Sequence, residues 1–221
     1  PEHLALLSKA TAGRLPPELR EHDGIASFSG LEEYRMDTGQ LTAVGERTNV
    51  AGSKRFARLV REEQWDKVLD IARRQVDSGA RIIDVCMDDA MLDGAAAMRS
   101  FLRRIALEPD ISRVPVMIDS SRWGIIETGL QHLQGKGIVN SISLKEGPQA
   151  FISRAQQIRR YGAAMVVMLF DEQGQADRFE RKVEIARRSF DLLREAGIPP
   201  EEIIIDPNVL AVATGMSEHD R

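Results

Sequence analysis

The chain has 221 residues, 43% hydrophobic and 29% charged, with a formal net charge of −4 and acidic and basic residues interspersed. That is the composition of an ordinary soluble globular protein with one large domain, or one domain plus part of another. It excludes a basic, aromatic-studded nucleic-acid surface, a membrane span of roughly 18–20 apolar residues, a signal-peptide h-region and, with Cys86 the lone cysteine, an internal disulfide. The single thiol fits a reducing cytoplasm.

Residues 1–40 differ in texture from the rest. PEHLALLSKATAG predicts one short amphipathic helix with Leu4, Leu7 and Ala10 on one side. Residues 11–40 are rich in Pro, Gly and charge, without sustained periodicity. They read as a linker or N-terminal extension, or as a cap on the bottom of the main domain.

From residue 41 the pattern is regular. LTAVGERTN is a short strand leaving Glu46, Arg47 and Asn49 at its end. A helical stretch opens at Gly52 and Ser53, is interrupted near residues 62–64, and runs to Ser78. Phe56, Leu59, Val60, Val68, Ile71, Ala72 and Val76 keep helical spacing, and Gly79 stops it. RIIDVCMDD is the second strand, 92–105 a helix, VPVMIDSS the third strand and 122–133 a helix. GKG at 135–137 turns into the fourth strand, 149–161 is a helix, AAMVVMLF is the fifth strand ending at Asp171, 177–196 is a helix, and IIIDPN is the sixth strand. Strict alternation of near-continuous apolar strands with helices predicts a parallel α/β sheet. It is either an open doubly wound sheet or a barrel.

Every strand ends polar: Glu46 and Asn49, Asp84 and Asp88, Asp119, Asn140, Asp171, Asp206 and Asn208. An open sheet concentrates function at one switch point. Polar exits on all strands suit a TIM (β/α)8 barrel, whose site draws on every strand. Only about six βα units are present in this chain, where a barrel needs eight.

Several motifs carry nothing. GSK at 52–54 lacks the G-x4-G-K-[ST] spacing of a phosphate loop. His3, His22, His132 and His219 have no paired-ligand spacing, and no Ser-His-Asp or Cys-His set can be assembled. DDAMLD at 88–93 has the carboxylates of a magnesium site but not the helical pairing. No metal is expected in this chain. Cys86 lies inside a strand, where a thiol packs more often than it reacts.

The strand ends together form an acceptor surface. Asp84, Asp119, Asn140 and Asp206 offer carboxylates and one carboxamide, with no arginine among them. A ligand with several N–H donors along one edge matches that set, as a pterin does through N3–H, the 2-amino group and N8–H of its reduced ring. The competing reading is that each residue caps the helix that follows. It is reasonable for any one of them and weaker for four in succession.

GERTNVAGS, IIDVCMDDAMLD, MIDSS, GKGIVNSIS, YGAAMVVMLFDEQGQA and IIIDPN with AVATG together resemble the methyltetrahydrofolate-binding module of cobalamin-dependent methionine synthases. The likeness runs from about residue 41 to the end, in that family's order and spacing. A more distant likeness, in Asp119, Asn140 and Asp206, is to dihydropteroate synthases and corrinoid methyltransferases. The resemblance implies a pterin-binding TIM barrel over 41–221, incomplete because strands seven and eight would follow Arg221. It makes 1–40 the end of a preceding homocysteine-binding barrel plus a linker. It assigns Asp119, Asn140 and Asp206 to the pterin edge and makes Asp119 and Asn140 the catalytic candidates. Glu46 and Asn49 fall beside the pterin, Gly52, Ser53 and Lys54 near the aminobenzoyl part, and Asp84 and Asn208 at the same mouth.

The implied reaction moves the N5-methyl group of 5-methyltetrahydrofolate, the substrate, to cob(I)alamin held by another module of the parent protein. Zinc is expected only in the homocysteine module, and the setting is cytoplasmic. No D-x-H-x-x-G cobalamin motif occurs in the chain. Two alternatives stand beside this one: a dihydropteroate synthase-like pterin transferase, against which the lack of an evident basic site speaks, and a non-catalytic folate-binding module.

Overall fold

A computed structural model describes residues 2–15, 24–36 and 39–209. Helix α1 (Glu2–Thr11) comes first, wholly exposed, with Leu4 and Leu7 in solvent. Two three-residue strands, β1 (Ser27–Ser29) and β2 (Glu33–Arg35), then form an antiparallel hairpin.

The regular part follows as β3 (Val44–Asn49), α2 (Lys54–Arg61), α3 (Trp65–Asp77), β4 (Ile82–Cys86), α4 (Gly94–Ile105), the single turn α5 (Pro109–Ser112), β5 (Val116–Asp119), α6 (Trp123–His132), β6 (Ile138–Ile142), α7 (Pro148–Arg160) and β7 (Ala164–Met168). A small hairpin, β8 (Phe170–Asp171) and β9 (Gly174–Gln175), precedes α8 (Phe179–Glu195) and β10 (Ile203–Asp206). The interruption expected near 62–64 is the α2–α3 junction, where Glu63 takes a left-handed φ of 52°.

Six strands form one sheet in the order β10-β7-β6-β5-β4-β3, all parallel. Each strand pairs with its sequence neighbours, as in a barrel wall and unlike a doubly wound sheet. The sheet with its helices is a partial TIM-barrel wall: the alternation predicted the parallel sheet, and the polar strand ends favoured the barrel.

The two-residue strand period splits the side chains between two faces. Ile83, Val85, Ile118, Val139, Met165 and Val167 point to the helices and join the large core with Phe56, Phe101 and Phe151. A close approach is needed there: a Cβ on Gly129 of α6 would lie 2.8 Å from Ile118 Cδ1, so glycine lets the helix settle on β5. Ile82, Met117, Ile138, Ala164 and Val166 point to the other face and form a second cluster, closed by Phe28, which is 1% exposed, with Tyr34 and Met36 beside it.

The β1–β2 hairpin is therefore the floor under that inner cluster. Ser29 N–H donates to the Lys136 carbonyl at 2.9 Å, and the Lys136 N–H donates to Ser29 Oγ at 2.9 Å. Leu31 N–H donates to the Ser112 carbonyl at 2.8 Å. Of the two readings of residues 11–40, the described part 24–36 caps the bottom of the domain. Glu18 and Asp37 of that segment lie outside the described residues, as does AVATG at 211–215.

The fifth strand does not run on to Asp171. It stops at Met168, and Asp171 turns into the β8–β9 hairpin, where Arg181 Nη2 holds its Oδ1 at 2.5 Å. Its carboxylate is committed to that ion pair, so it is not one of the open strand exits.

Candidate functional site

Register brings the site together. Asn49 pairs with Cys86, Cys86 with Asp119, and Asp119 with Asn140, so these four residues form one row across β3, β4, β5 and β6. Asn49, Cys86 and Asp119 are the last residues of their strands, as is Asp206, paired with Met168, while Asn140 sits midway along β6 beside Asp119. The chain direction of parallel strands puts every exit at one end. The two-residue period aims them at the inner face.

Asp119, Asn140 and Asp206 line one cleft of about 540 Å³. Ser120, Ser121, Ser143 and Met168 share it, and Trp123, Phe151 and Phe170 form its apolar side. Lys145 and Arg154 also line it. Arg154 pairs with Glu146 Oε2 at 3.1 Å and stacks 5.0 Å from the Trp123 ring. The sequence reading found no basic group for this mouth. These two come from the segment after β6, where the cations follow the strand exit by several residues.

Asp84 lies one inward layer below the row and is 4% exposed. Its Oδ1 has no hydrogen-bond partner among the described residues. Burial, then the Asp119 charge and that of Glu46, raise its pKa to about 7, while hydrogen bonds from Asn140 and Asn49 act against the rise. Asp119 is raised to about 6, chiefly by burial and further by the charges of Asp88 and Glu46, against a hydrogen bond from the Cys86 thiol. Two adjacent carboxyl groups raised in this way, Asp119 on the cleft and Asp84 buried beneath it, are a candidate functional centre.

The other expected residues are placed less uniformly. Asn49 turns its carboxamide two ways: Oδ1 accepts from Ala51 N–H at 2.8 Å and Gly52 N–H at 2.9 Å, and Nδ2 donates to Asp119 Oδ2 at 3.3 Å. Glu46, Asn49 and Gly52 line a neighbouring pocket with Gln75 and Ser78, not the Asp119 cleft. Ser53 caps α2 by accepting from Phe56 N–H at 3.3 Å and borders a third groove with Arg47, Arg55 and Arg74. Lys54, the exposed first residue of α2, borders none of these pockets.

Asp206 Oδ1 accepts from Asn208 N–H at 2.8 Å, a local turn that leaves Oδ2 and a second lone pair for a ligand. Asn208 is 8% exposed with φ 48°, its carbonyl accepts from Lys182 Nζ at 3.3 Å, and its Nδ2 is unpartnered among the described residues. Among those residues no cluster of three or more His, Cys, Asp or Glu suits a metal ion, and no helix is long and apolar enough to cross a membrane.

The structure is a parallel barrel wall with an acceptor-lined cleft where its strands end. Residues 45–221 match the pterin binding enzyme family, and the chain belongs to it. Its fold is similar to many solved structures, three of which illustrate the likeness. They are the 7,8-dihydropteroate synthase of Vibrio fischeri (TM-score 0.58, 14% identity, 82% of this chain and 67% of that one), that of Yersinia pestis (0.57, 15%, 82% and 65%), and that of Burkholderia cenocepacia in complex with 7,8-dihydropteroate (0.56, 17%, 84% and 64%). The chain thus spans about two thirds of their length. Identities this low mark a common fold.

Proposed function

We propose that this chain binds 5-methyltetrahydrofolate and presents its N5-methyl group for transfer to cob(I)alamin, a step in making methionine from homocysteine. The observation that carries the pterin half of the reading is the convergence of Asp119, Asn140 and Asp206 on one cleft. A flat ring with adjacent N–H donors satisfies a carboxylate in a fork and a carboxamide with one bond each. The methyl-transfer half is supported by the run of motifs over 41–221, in order and at the spacing of methionine synthases.

In this reading the residues orient the ring and supply a proton. An N5 amine leaves poorly, so N5 takes a proton as its bond to the methyl carbon breaks. Asp84 keeps a proton close to neutrality because it is buried, and Asn140, whose side chain acts on Asp84 and lines the cleft, would link it to the cleft. Asp119 and Asp206 hold the ring so that N5 faces the open side. Cob(I)alamin would supply the electron pair that accepts the methyl group. It would come from another module of a cytoplasmic parent protein.

A second reading, a dihydropteroate synthase-like pterin transferase, is favoured over the first by the solved structures the chain resembles. Lys145 and Arg154 on the cleft give that reading cations for an anionic substrate. Two assays on the protein separate them: methylation of added cob(I)alamin by 5-methyltetrahydrofolate, and condensation of aminobenzoate with a pterin diphosphate. Methyl transfer alone supports the first reading and condensation alone the second. Tight folate binding with neither reaction leaves a folate-presenting module.

A further inference from the structure

Asp88 lies two residues past the end of β4 and does not line the cleft. Its carboxylate instead clamps the turn that leaves β5. Oδ1 accepts from Ser120 Oγ at 2.6 Å, and Oδ2 accepts from both the Ser121 N–H and Ser121 Oγ at 2.7 Å. Arg122 Nη2 stands 3.8 Å from Oδ1. Ser120 Oγ in turn accepts from Arg122 N–H at 3.0 Å, and Ser120 N–H donates to the Asn140 carbonyl at 3.1 Å. The carboxylate thus ties the segment after β4 to the turn after β5, immediately beside Asp119, and the Ser120 N–H links that turn to Asn140 of β6.

The chemistry of that clamp is specific. Burial alone would raise the Asp88 pKa, but the two serine hydroxyls, the Ser121 N–H and Arg122 hold it below the ordinary carboxylate value. It therefore stays an ionised acceptor wherever Asp119 titrates. Charge-assisted hydrogen bonds of this length are the strong ones. A strand's last side chain is aimed by the backbone that follows it, and the backbone after Asp119 is fixed at residues 120, 121 and 122.

We infer that Asp88 is a positioning residue: it sets the turn after β5 so that Asp119 meets the pterin, and it does not touch the ligand. The inference rests on the reading that Asp119 binds a pterin.

The test is calorimetric titration of the protein with 5-methyltetrahydrofolate in four forms: parent, Asp88→Ala, Asp119→Ala and the double variant. Losing the charge-assisted bond from Asp119 to the ligand weakens binding by about ten- to a hundredfold, so Asp88→Ala should bind ~10- to 100-fold more weakly. In the Asp119→Ala background the same change should cost less than about threefold, because the residue it aims is gone. Asp88→Asn should recover most of the affinity. Its carboxamide oxygen still accepts from Ser121 N–H, and Ser120 Oγ can turn its proton to the Arg122 carbonyl, 3.3 Å away. Should Asp88→Ala fail to fold, Ser121→Ala removes two fewer bonds and carries the same comparison in both backgrounds. An equal loss with and without Asp119, or parent-like binding by Asp88→Ala, overturns the inference alone. Parent-like binding by Asp119→Ala overturns the pterin reading and the inference with it.

Discussion

Asn49 Nδ2 donates to Asp119 Oδ2 at 3.3 Å although 70 positions of chain separate them. The bond reaches from β3 over β4 to β5, and the residue beneath it in the register row is Cys86. The edge strand is thereby tied to the centre of the site, and the thiol is sealed under a polar lid.

That seal has a chemical consequence. Cys86 is 4% exposed. Its pKa is pushed up to about 12, first by burial and then by the charges of Asp119, Asp88 and Asp84, against a backbone hydrogen bond at Asp88. A thiol needs its thiolate form and an approach path to react. Folded protein treated with iodoacetamide at about pH 8 should stay unlabelled at Cys86, and protein in denaturant should take up one equivalent. Rapid labelling of the folded protein would show that the Asn49–Asp119 lid opens.

Asp84 makes stability depend on pH. Its folded-state pKa of about 7 is above its ordinary value of 3.8, so the folded protein holds this proton more tightly than the unfolded chain. The contribution is fully present below about pH 4 and lost as pH rises through about 7. Asp84→Asn removes the titration, so the variant should gain on the parent with rising pH, by at most about 4 kcal/mol. Melting curves at about pH 5 and about pH 8.5 read this difference, and a pH-independent difference would contradict it.

Phe28 tests the floor of the barrel. It is 1% exposed and closes the inner cluster against Ile82, Met117 and Ile138. Phe28→Ala should cost about 3–5 kcal/mol in urea unfolding, the range for a buried aromatic that leaves a cavity. A loss below about 1 kcal/mol would make the hairpin a dispensable extension.

How much of this was legible in the sequence depended on range. The six strands were legible because their apolar runs are continuous and each exit changes abruptly to Asp or Asn. Their parallel order followed from the helices between them. The β1–β2 hairpin was not, because SFS and EYR are too short for a period and are held by contacts to Lys136 and Ser112, far along the chain. Asp171 read as another open strand exit because Arg181, ten positions on, gives no local signal of the pairing. Asp88 read as part of an acidic run, and only the fold brings Ser120 and Ser121 to it. Asp119, Asn140 and Asp206 were legible as a set because parallel strands put all exits at one end. Gly52, Ser53 and Lys54 follow the edge strand β3, and none of them lines the Asp119 cleft: Gly52, in the turn held by Asn49 Oδ1, borders one neighbouring pocket and Ser53 another.

The central claim is that a carboxylate at the β10 exit holds two adjacent pterin N–H groups. Asp206→Asn keeps the shape and the turn bond to Asn208 N–H, but sets a donor against a donor. Hydrogen bonds to charged groups are worth about 1.5–3 kcal/mol, and an unsatisfied partner costs a similar amount. Titration of the protein with 5-methyltetrahydrofolate should therefore show binding weakened by roughly ten- to several-hundred-fold for Asp206→Asn, with thermal stability nearly unchanged. Glu180→Gln, exposed on α8, should bind like the parent. Parent-like affinity in Asp206→Asn would mean that Asp206 serves only the turn to Asn208 and that the cleft does not hold a pterin through this residue.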